Sequence, residues 1–359
     1  MTIGKLDPGC DFVRRGGRRG RMDTAPFDEF DCDRRQRIWV RHPRTATQEA
    51  ADVKFPDGMS FADPEGMILI TGANGNVGTE LVRRLHSLRI DFRAAYHSAE
   101  RAARARAAGI DSTVIDYADS GSLDDAMRGI EKLFLVCPAG PELPAYEANA
   151  VNAAIRAGGI RQIVKCSVWD AETEAFTLAR IHRQSEKTIE YSGIPFTHLR
   201  PNSYMQNFVN YFADPIRSHG VFQIPGRDSR CSFVDVRDVA RVAATVLLST
   251  DGFDRAYSLS GPEALTYGQV ALKFSNVLGR KISYRDIPDE EFRRVTISHG
   301  GSSWLAEAMI ELYHYAIAGH GADLTSSVQE MLGQPPTSFD QFARDYIDAF
   351  RATKLRVSA

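Results

Sequence analysis

The chain has 359 residues, of which 43% are hydrophobic and 25% are charged, and its formal net charge is −2. A charge this close to neutral excludes a general electrostatic attraction to nucleic acid or to anionic membranes. No apolar run approaches the ~20 residues needed to cross a bilayer, so we expect no membrane-spanning segment.

The five cysteines and nine histidines show no pattern typical of a metal site or a disulfide framework. No C-x-x-C pair occurs, and the histidines form no cluster with ligand spacing. Reduced thiols are the simplest interpretation, so we expect a cytoplasmic protein without a bound metal. Cys137 is not expected to be a nucleophile, because no histidine partner can be identified from sequence.

The first 66 residues differ from the rest of the chain. They carry two arginine clusters, at 14–21 and 34–37, and lack a periodic apolar pattern, which predicts a disordered extension. A twin-arginine export signal is excluded, because no apolar region follows either arginine pair. A nucleic-acid-binding tail remains an alternative. We favour the interpretation that residues 1–66 are an extension outside the fold, of the kind that results when a start codon upstream of Met67 is chosen.

A glycine-rich turn follows the first apolar run of the chain, Met67 to Ile70, which predicts a buried strand. The next apolar residues recur at helical spacing, which predicts a helix directly after the turn. Strand, glycine turn and helix together form the usual binding site for a dinucleotide pyrophosphate, with the alternative of a structural turn without a ligand. The predicted cofactor contacts in this turn are Gly72, Asn74, Gly75, Asn76, Val77 and Gly78.

Strand and helix patterns alternate from Met67 onwards. The predicted strands cover 67–70, 91–96, 112–116, 132–137, 161–167 and 195–199, with helices at 99–108, 123–129, 145–157 and 176–191. After Pro201 the predicted elements are helices at 204–212 and 267–278, short strands at 221–224 and 256–259, and a strand running into a helix at 232–243. The segment 282–285 is predicted to be extended, and the rest of the chain to Phe350 largely helical. We therefore predict an α/β fold: a doubly wound parallel Rossmann sheet over 67–201 and a smaller α/β C-terminal domain over 202–359 on the substrate side, from which some segments return to the sheet.

Several segments resemble the NmrA-like family of atypical short-chain dehydrogenase/reductase relatives. They are the glycine turn, Asp116, residues 193–201 followed by Asn207, residues 235–240 and residues 338–342. The resemblance implies NAD(P) binding, and it places Asp116 and Tyr117 beside the adenine; Asp116 could equally cap a turn. The family contains quinone, azo-dye, ergot-alkaloid and phenylpropanoid reductases, and also regulators that bind the nucleotide without catalysis.

Residues at the end of the second strand indicate which cofactor is preferred. An acidic side chain there would hold the ribose 2′-hydroxyl and repel a 2′-phosphate. This chain instead has His97, with Arg93 and Arg101 nearby, which favours NADP(H) over NAD(H). By resemblance, the family's reductases often carry arginine where His97 stands. The alternative is that His97 and Arg101 are plain surface residues. Cys137 and Pro138, just past the fourth strand, are expected to lie against the cofactor.

The predicted helix over 176–191 carries the candidate proton donor. The Tyr-x-x-x-Lys pair of short-chain dehydrogenases is absent, since no tyrosine lies between Ser167 and Tyr191. His182 and Glu186 are four residues apart and share a helix face. By resemblance, His182 stands where phenylpropanoid reductases carry lysine and some quinone reductases histidine. An imidazole that titrates near neutrality could donate a proton, with Glu186 orienting it. The alternatives are a histidine without a chemical role and a simple helix pair.

Ser167 and four large side chains complete the predicted site. Ser167 ends the fifth strand and could hydrogen-bond a substrate oxygen, or it could merely terminate the strand. The apolar residues could wall a flat substrate or simply form core. These residues are Trp169, Tyr204, Met205 and Phe208.

Two functions fit these features. The first is an NADPH-dependent reductase that delivers hydride to a small conjugated or aromatic acceptor of quinone or azo type. The second is a non-catalytic NADP(H) sensor that acts through a protein partner, which the missing Tyr-x-x-x-Lys pair keeps open. Binding of RNA or DNA through the N-terminal arginines is a weaker, third possibility.

Overall fold

The computed structural model describes residues 66–250 and 253–351. A sheet of seven parallel strands lies at its centre, in the order β3-β2-β1-β4-β5-β6-β9. The strands are β1 (Met67–Ile70), β2 (Phe92–Tyr96), β3 (Ser112–Val114), β4 (Ile130–Leu135), β5 (Gln162–Cys166), β6 (Phe196–Pro201) and β9 (Arg255–Leu259). The strand order reverses between β1 and β4, and open α/β sheets bind ligands at such a switch point.

Helices cover both faces of this sheet. One face carries α1 (Asn76–Ser87), α2 (Ala99–Ala107), α7 (Val236–Leu248) and α11 (Ser327–Leu332); the other carries α3 (Ser120–Met127), α4 (Leu143–Ala157) and α5 (Thr177–Glu190). Successive residues of a strand point to opposite faces, so Ile68 and Ile70 pack in the first layer and Leu69 in the second. The predicted doubly wound parallel sheet is confirmed.

A second apolar core is formed by elements that follow β6. They are α6 (Asn207–His219), β7 (Val221–Ile224), β8 (Arg230–Cys231), β10 (Leu265–Thr266), α8 (Tyr267–Leu278), β11 (Ser283–Asp286), α9 (Asp289–Ser298), α10 (Ser303–Ile317), α12 (Phe339–Asp345) and α13 (Ile347–Phe350). β7 pairs in parallel with β11, and β8 pairs antiparallel with β10. The ring of Phe208 makes edge contacts with those of Phe222 and Phe274 at 5.4 and 5.6 Å. These contacts are typical of a close-packed aromatic core.

The structure differs from the sequence prediction after β6. The segment 232–235 is not a strand: Val234 makes only an isolated bridge with Tyr204, and Asp235 caps α7. The helix predicted from Tyr204 begins at Asn207 instead. The residues just before Asn207 are held by backbone hydrogen bonds to Val234, so they do not join the helix. β9 pairs with β6 as a seventh strand of the central sheet.

Two further predictions concern the chain outside the sheet. The predicted disordered extension at 1–66 lies, apart from its last residue, outside the described residues. Within the part of the chain that the structure describes, no helix combines the length and apolar character needed to cross a bilayer.

Candidate active site

Thr71 fixes the position of the glycine turn at the carboxyl edge of the sheet. Its hydroxyl lies 3.1 Å from the carbonyl oxygens of both Phe134 and Val136, and it accepts the N–H of Val136 at 2.9 Å. One side chain therefore ties the end of β1 to the end of β4. These are the two strands between which the sheet order reverses.

The glycines of the turn are required by close backbone approach. Gly72 has a φ of +57°, a conformation that favours glycine. Its carbonyl oxygen accepts the N–H of Gly75 at 2.8 Å. A Cβ on Gly78 would lie only 2.1 Å from this same oxygen. The glycine turn thus packs closely against the start of α1. The side of the glycine turn that faces away from α1 is left for a ligand.

The start of α1 has no side-chain cap. Its N-cap is Gly75, and its first turn contains no acidic residue. The absence of a side-chain cap is shared with α4, α5, α6, α9, α11 and α13. Asn74, Gly75 and Asn76 are exposed, while Val77 is buried. Asn210 of α6 donates to the side-chain oxygen of Asn76 at 3.0 Å. Uncapped N–H groups and the helix dipole suit a pyrophosphate at this position.

The end of β2 presents His97 to solvent. The imidazole Nδ1 lies 3.3 Å from the carbonyl oxygen of Ile115, which orients the ring. Ser98 caps α2 by accepting the N–H of Arg101, a half-buried residue on the same turn. Arg93 is engaged elsewhere, since its guanidinium bonds to a carboxylate and to two backbone carbonyls.

Asp116 and Tyr117 follow β3, and each makes a hydrogen bond within the fold. A carboxylate oxygen of Asp116 accepts the N–H of Ala118 at 2.9 Å, so this residue caps a turn. The Tyr117 hydroxyl donates to the carbonyl oxygen of Val136 at 2.8 Å. Neither contact tests a role beside the adenine, which stays a prediction.

Pro138 and Cys137 follow β4 at the same edge of the sheet. Pro138 is exposed, whereas Cys137 is buried. Burial raises the pKa of the Cys137 thiol to about 12, and Glu147 adds to this effect. A protonated thiol is a poor nucleophile.

Glu186 organises a buried polar cluster beneath the carboxyl ends of β5 and β6. One of its oxygens accepts the Ser167 hydroxyl at 2.7 Å and the Arg200 Nε at 2.9 Å. The other accepts Arg200 Nη2 at 2.7 Å and Arg183 Nη1 at 3.1 Å. Glu186 is fully buried, and Ser167 and Arg200 are nearly so. The pair with Arg200 is bidentate, the strongest geometry for a carboxylate and a guanidinium.

These contacts determine the charge of Glu186. Burial alone would raise its pKa, but the hydrogen bonds and charge of Arg200, with help from His198 and Ser167, outweigh it and lower the pKa to about 2. The carboxylate is therefore ionised at neutral pH. It bonds to Ser167, Arg200 and Arg183. No hydrogen bond among the described residues joins Glu186 to His182, so Glu186 does not orient His182 as expected.

His182 is half-buried on α5, and its Nδ1 is buried without a hydrogen-bond partner among the described residues. Burial lowers its pKa well below the usual value; the nearby charge of Lys165 adds to this effect, and Glu186 opposes it. The expectation of an imidazole that titrates near neutrality is therefore wrong. His182 is a neutral imidazole at pH 7, able to offer one N–H donor.

His198 and Glu190 lie on the far side of Glu186. The three residues each offer a ligand atom within 4.8 Å of the others. However, Arg183 bonds to both carboxylates, which places a guanidinium between them. Burial lowers the pKa of His198 to about 4. Because a cation already neutralises this cluster, we assign no metal to it.

The aromatic candidates divide between core and crevice. Met205 and Phe208 lie in the second core, and the Tyr204 hydroxyl contacts Cys166 Sγ at 3.5 Å, so these three are structural. Trp169 is buried above the ends of β5 and β6, where its backbone N–H donates to the carbonyl oxygen of Pro201.

Sequence reasoning missed several charged residues of the site. Lys165 and Glu147 form a fully buried ion pair between β5 and α4, and Arg200 clamps Glu186 from β6. A lysine inside the apolar run Ile163-Val-Lys-Cys166 was the available signal for the first pair.

Comparison with known proteins agrees with this geometry. The model of the NmrA-like family matches residues 64–332. The NAD(P)H azoreductase of Xenophilus azovorans is 30% identical over 286 residues, which cover 80% of this chain and 100% of that protein. The (4-alkanoyl-5-oxo-2,5-dihydrofuran-3-yl)methyl phosphate reductase of Streptomyces griseus is 34% identical over 289 residues, 79% of this chain and 99% of that protein.

A solved structure shows the same relationship in three dimensions. The NADPH-dependent quinone oxidoreductase of Escherichia coli, in its complex with NADPH, matches with a TM-score of 0.70 and 27% identity. The match covers 79% of this chain and 100% of that one. On this evidence the chain belongs to the NmrA-like family.

Proposed function

We propose that the protein is an NAD(P)H-dependent reductase that transfers hydride to a small conjugated or aromatic acceptor of quinone or azo type. The observation that carries this proposal is the arrangement at the carboxyl edge of the sheet. There the uncapped start of α1 and the tight glycine turn lie at the edge that also carries Ser167. The names of the azoreductase and quinone oxidoreductase relatives support the acceptor class.

The protein's own residues bind and orient the reactants. The N–H groups at the start of α1 hold the pyrophosphate, and His97 with Arg101 receives the 2′-phosphate, which favours NADPH. The bound nicotinamide would supply the hydride. His182, as a neutral imidazole, donates a hydrogen bond to the acceptor heteroatom on which negative charge develops. The proton that this atom finally gains comes from solvent, because a neutral imidazole is a very weak acid.

One experiment tests the proposal. The full chain is mixed with NADPH and with a panel of quinones, azo dyes and enones, and the loss of NADPH absorbance is followed. We expect turnover on at least one quinone or azo acceptor. Tight binding of NADPH without turnover on any of them would contradict the reductase and favour the nucleotide sensor.

A further inference from the structure

We propose that Ser167 serves only as a hydrogen-bond acceptor in the site, so that it recognises an N–H or O–H donor on the bound ligand. The chemistry that fits is a primary amide or amine, either the carboxamide of the nicotinamide or a donor group on the hydride acceptor. This inference rests on the proposed function, because it assumes that NADPH occupies the crevice.

The argument begins with the single proton of the Ser167 hydroxyl. A serine hydroxyl has one donor and two acceptor lone pairs. Its proton is directed to Glu186, with an oxygen–oxygen distance of 2.7 Å. Glu186 has no donor of its own, since it is ionised, so the direction of this hydrogen bond is fixed. What Ser167 offers to any other group is a lone pair.

The surrounding charges keep the hydroxyl in this orientation. Arg200 holds the Glu186 carboxylate in a bidentate pair, and Arg183 adds a further contact. The carboxylate therefore cannot turn away from Ser167. If the hydroxyl turned away instead, it would give up a short bond to a buried charged acceptor for one to a neutral ligand atom.

A division of roles between Ser167 and His182 follows. A quinone oxygen or azo nitrogen is itself an acceptor, so its lone pairs face those of Ser167 unfavourably. His182 offers the donor that such an atom needs. The ligand is then oriented with its reducible heteroatom away from Ser167 and a donor group towards it. Ser167 thus contributes to specificity by rejecting acceptor atoms.

The test compares matched ligands that differ by one donor group. The first pair is NADPH and its 3-acetylpyridine analogue, in which a methyl group replaces the carboxamide NH2. Their Kd values are measured by fluorescence without any hydride acceptor, in wild type, Ser167→Ala and Ser167→Thr. The second pair is 2-amino- and 2-methyl-1,4-naphthoquinone, compared through KM.

If the nicotinamide carboxamide is the donor, Ser167→Ala weakens NADPH about fivefold to tenfold and leaves the analogue unchanged. If the hydride acceptor carries the donor, the same variant raises KM for the amino quinone alone. Ser167→Thr, which keeps the hydroxyl, restores the wild-type values in either case. Ser167→Ala acting equally on both members of each pair, or on neither, overturns the proposal.

These outcomes are separable from failure of the proposed function. The Kd comparison needs no turnover, so it remains informative if the protein reduces none of the acceptors. Wild type that fails to bind NADPH contradicts the proposed function and, with it, this inference. Thermal unfolding of each variant, expected to stay close to that of wild type, excludes a general loss of fold.

Discussion

At the scale of single residues, the charge state of His182 decides how it can act. An imidazolium that donates a proton would lose activity as the pH rises through its pKa. Burial and Lys165 instead keep His182 neutral at pH 7, with a pKa well below the usual range. A neutral imidazole acts by hydrogen bonding to developing charge, and oxyanion donors of this kind contribute about 10²–10³-fold to kcat.

We therefore expect His182→Ala to lower kcat about 10²-fold while leaving the Kd for NADPH unchanged. In wild type, kcat should be flat between pH 6.5 and 8 as far as this residue is concerned. Steady-state kinetics over that range provides the measurement, and Gln184→Ala, exposed on the same helix, is the control. A fall in kcat on raising the pH past 6.5, abolished in the variant, would show an imidazolium donor instead.

His97 provides a second test at this scale. Replacing it with aspartate places a negative charge where the 2′-phosphate is proposed to lie. We expect His97→Asp to raise the Kd for NADPH more than tenfold while the Kd for NADH falls or stays unchanged. His219→Asp, another exposed histidine, should alter neither value. Equal effects on both cofactors would remove His97 from 2′-phosphate recognition.

At the scale of elements, the close contact between the glycine turn and α1 determines what a substitution of Gly78 does to NADPH binding and stability. A Cβ there would lie 2.1 Å from the Gly72 carbonyl oxygen, so Gly78→Ala must displace the turn. We expect a loss of NADPH affinity of at least tenfold and a lower free energy of unfolding.

The control for Gly78 is Gly268 in α8. A Cβ on Gly268 would have its nearest contact at 3.7 Å, an ordinary van der Waals distance. Gly268→Ala should therefore stabilise the protein by about 0.5–1 kcal/mol and leave NADPH binding intact. Calorimetric titration and denaturant unfolding measure both quantities. If Gly78→Ala bound NADPH as wild type does, the turn would not be the pyrophosphate site.

The layer between β6 and α5 contains His198, which makes stability depend on pH. This side chain is 1% exposed, stacks on Phe196 at 4.6 Å, and has its pKa lowered by burial to about 4. Below pH 6.5 the unfolded chain binds a proton at this residue and the folded chain does not, so the unfolded state gains stability. The loss begins at pH 6.5 and is complete near pH 4, about 3 kcal/mol in all.

We expect His198→Leu to flatten the fall in unfolding free energy between pH 6.5 and 4. Urea denaturation at several pH values measures this slope. His219→Leu, at an exposed position, should leave the slope as it is in wild type. The remaining slope in His198→Leu comes from His182 and, towards pH 4, from carboxylates such as Glu186 and Glu190, whose pKa values are also lowered in the folded chain. An unchanged slope in His198→Leu would contradict the burial argument.

At the scale of the whole molecule, parts distant in sequence share one core. α7 and β9 come from the second half of the chain, yet they pack in and beside the sheet that begins at Met67. Phe176 and Leu178 near the start of α5 pack against Ala308 of α10, which joins the sheet to the second core. We therefore expect a single cooperative thermal transition.

Differential scanning calorimetry tests this expectation. NADPH at 100 times its Kd should stabilise the folded chain by about 2.7 kcal/mol and shift the entire transition upwards. Two transitions, of which only one responded to NADPH, would show that the sheet and the second core unfold independently.

The first six strands of the sheet could be predicted well from the sequence. Each is a short run of residues, and successive side chains are buried on opposite faces of the sheet. β1 is the clearest example, with Ile68 and Ile70 on one side and Leu69 on the other. The sequence did not show which of the later segments joins the sheet, since β9, which pairs with β6, is exposed over its first two residues and lies far along the chain.

The polar interior of the site was the least predictable part. Glu186 was recognised as a candidate, but its partner Arg200 belongs to another element, and a sequence does not show which cation faces a carboxylate. The same holds for Lys165 and Glu147. The direction of the His182 pKa shift depends on this burial and charge, so it also required the structure.

The packing of α7 against α1 has a consequence for how the protein is synthesised. The apolar face of α1, including Leu81 and Leu85, is covered by Val239 and Val242 of α7. Roughly 150 residues lie between the end of α1 and the start of α7. Their translation at ~5–20 residues per second takes on the order of ten seconds. During that time the apolar face of α1 is exposed to solvent on the nascent chain at the ribosome. We expect a chaperone that binds apolar segments of nascent chains to engage α1 until α7 emerges.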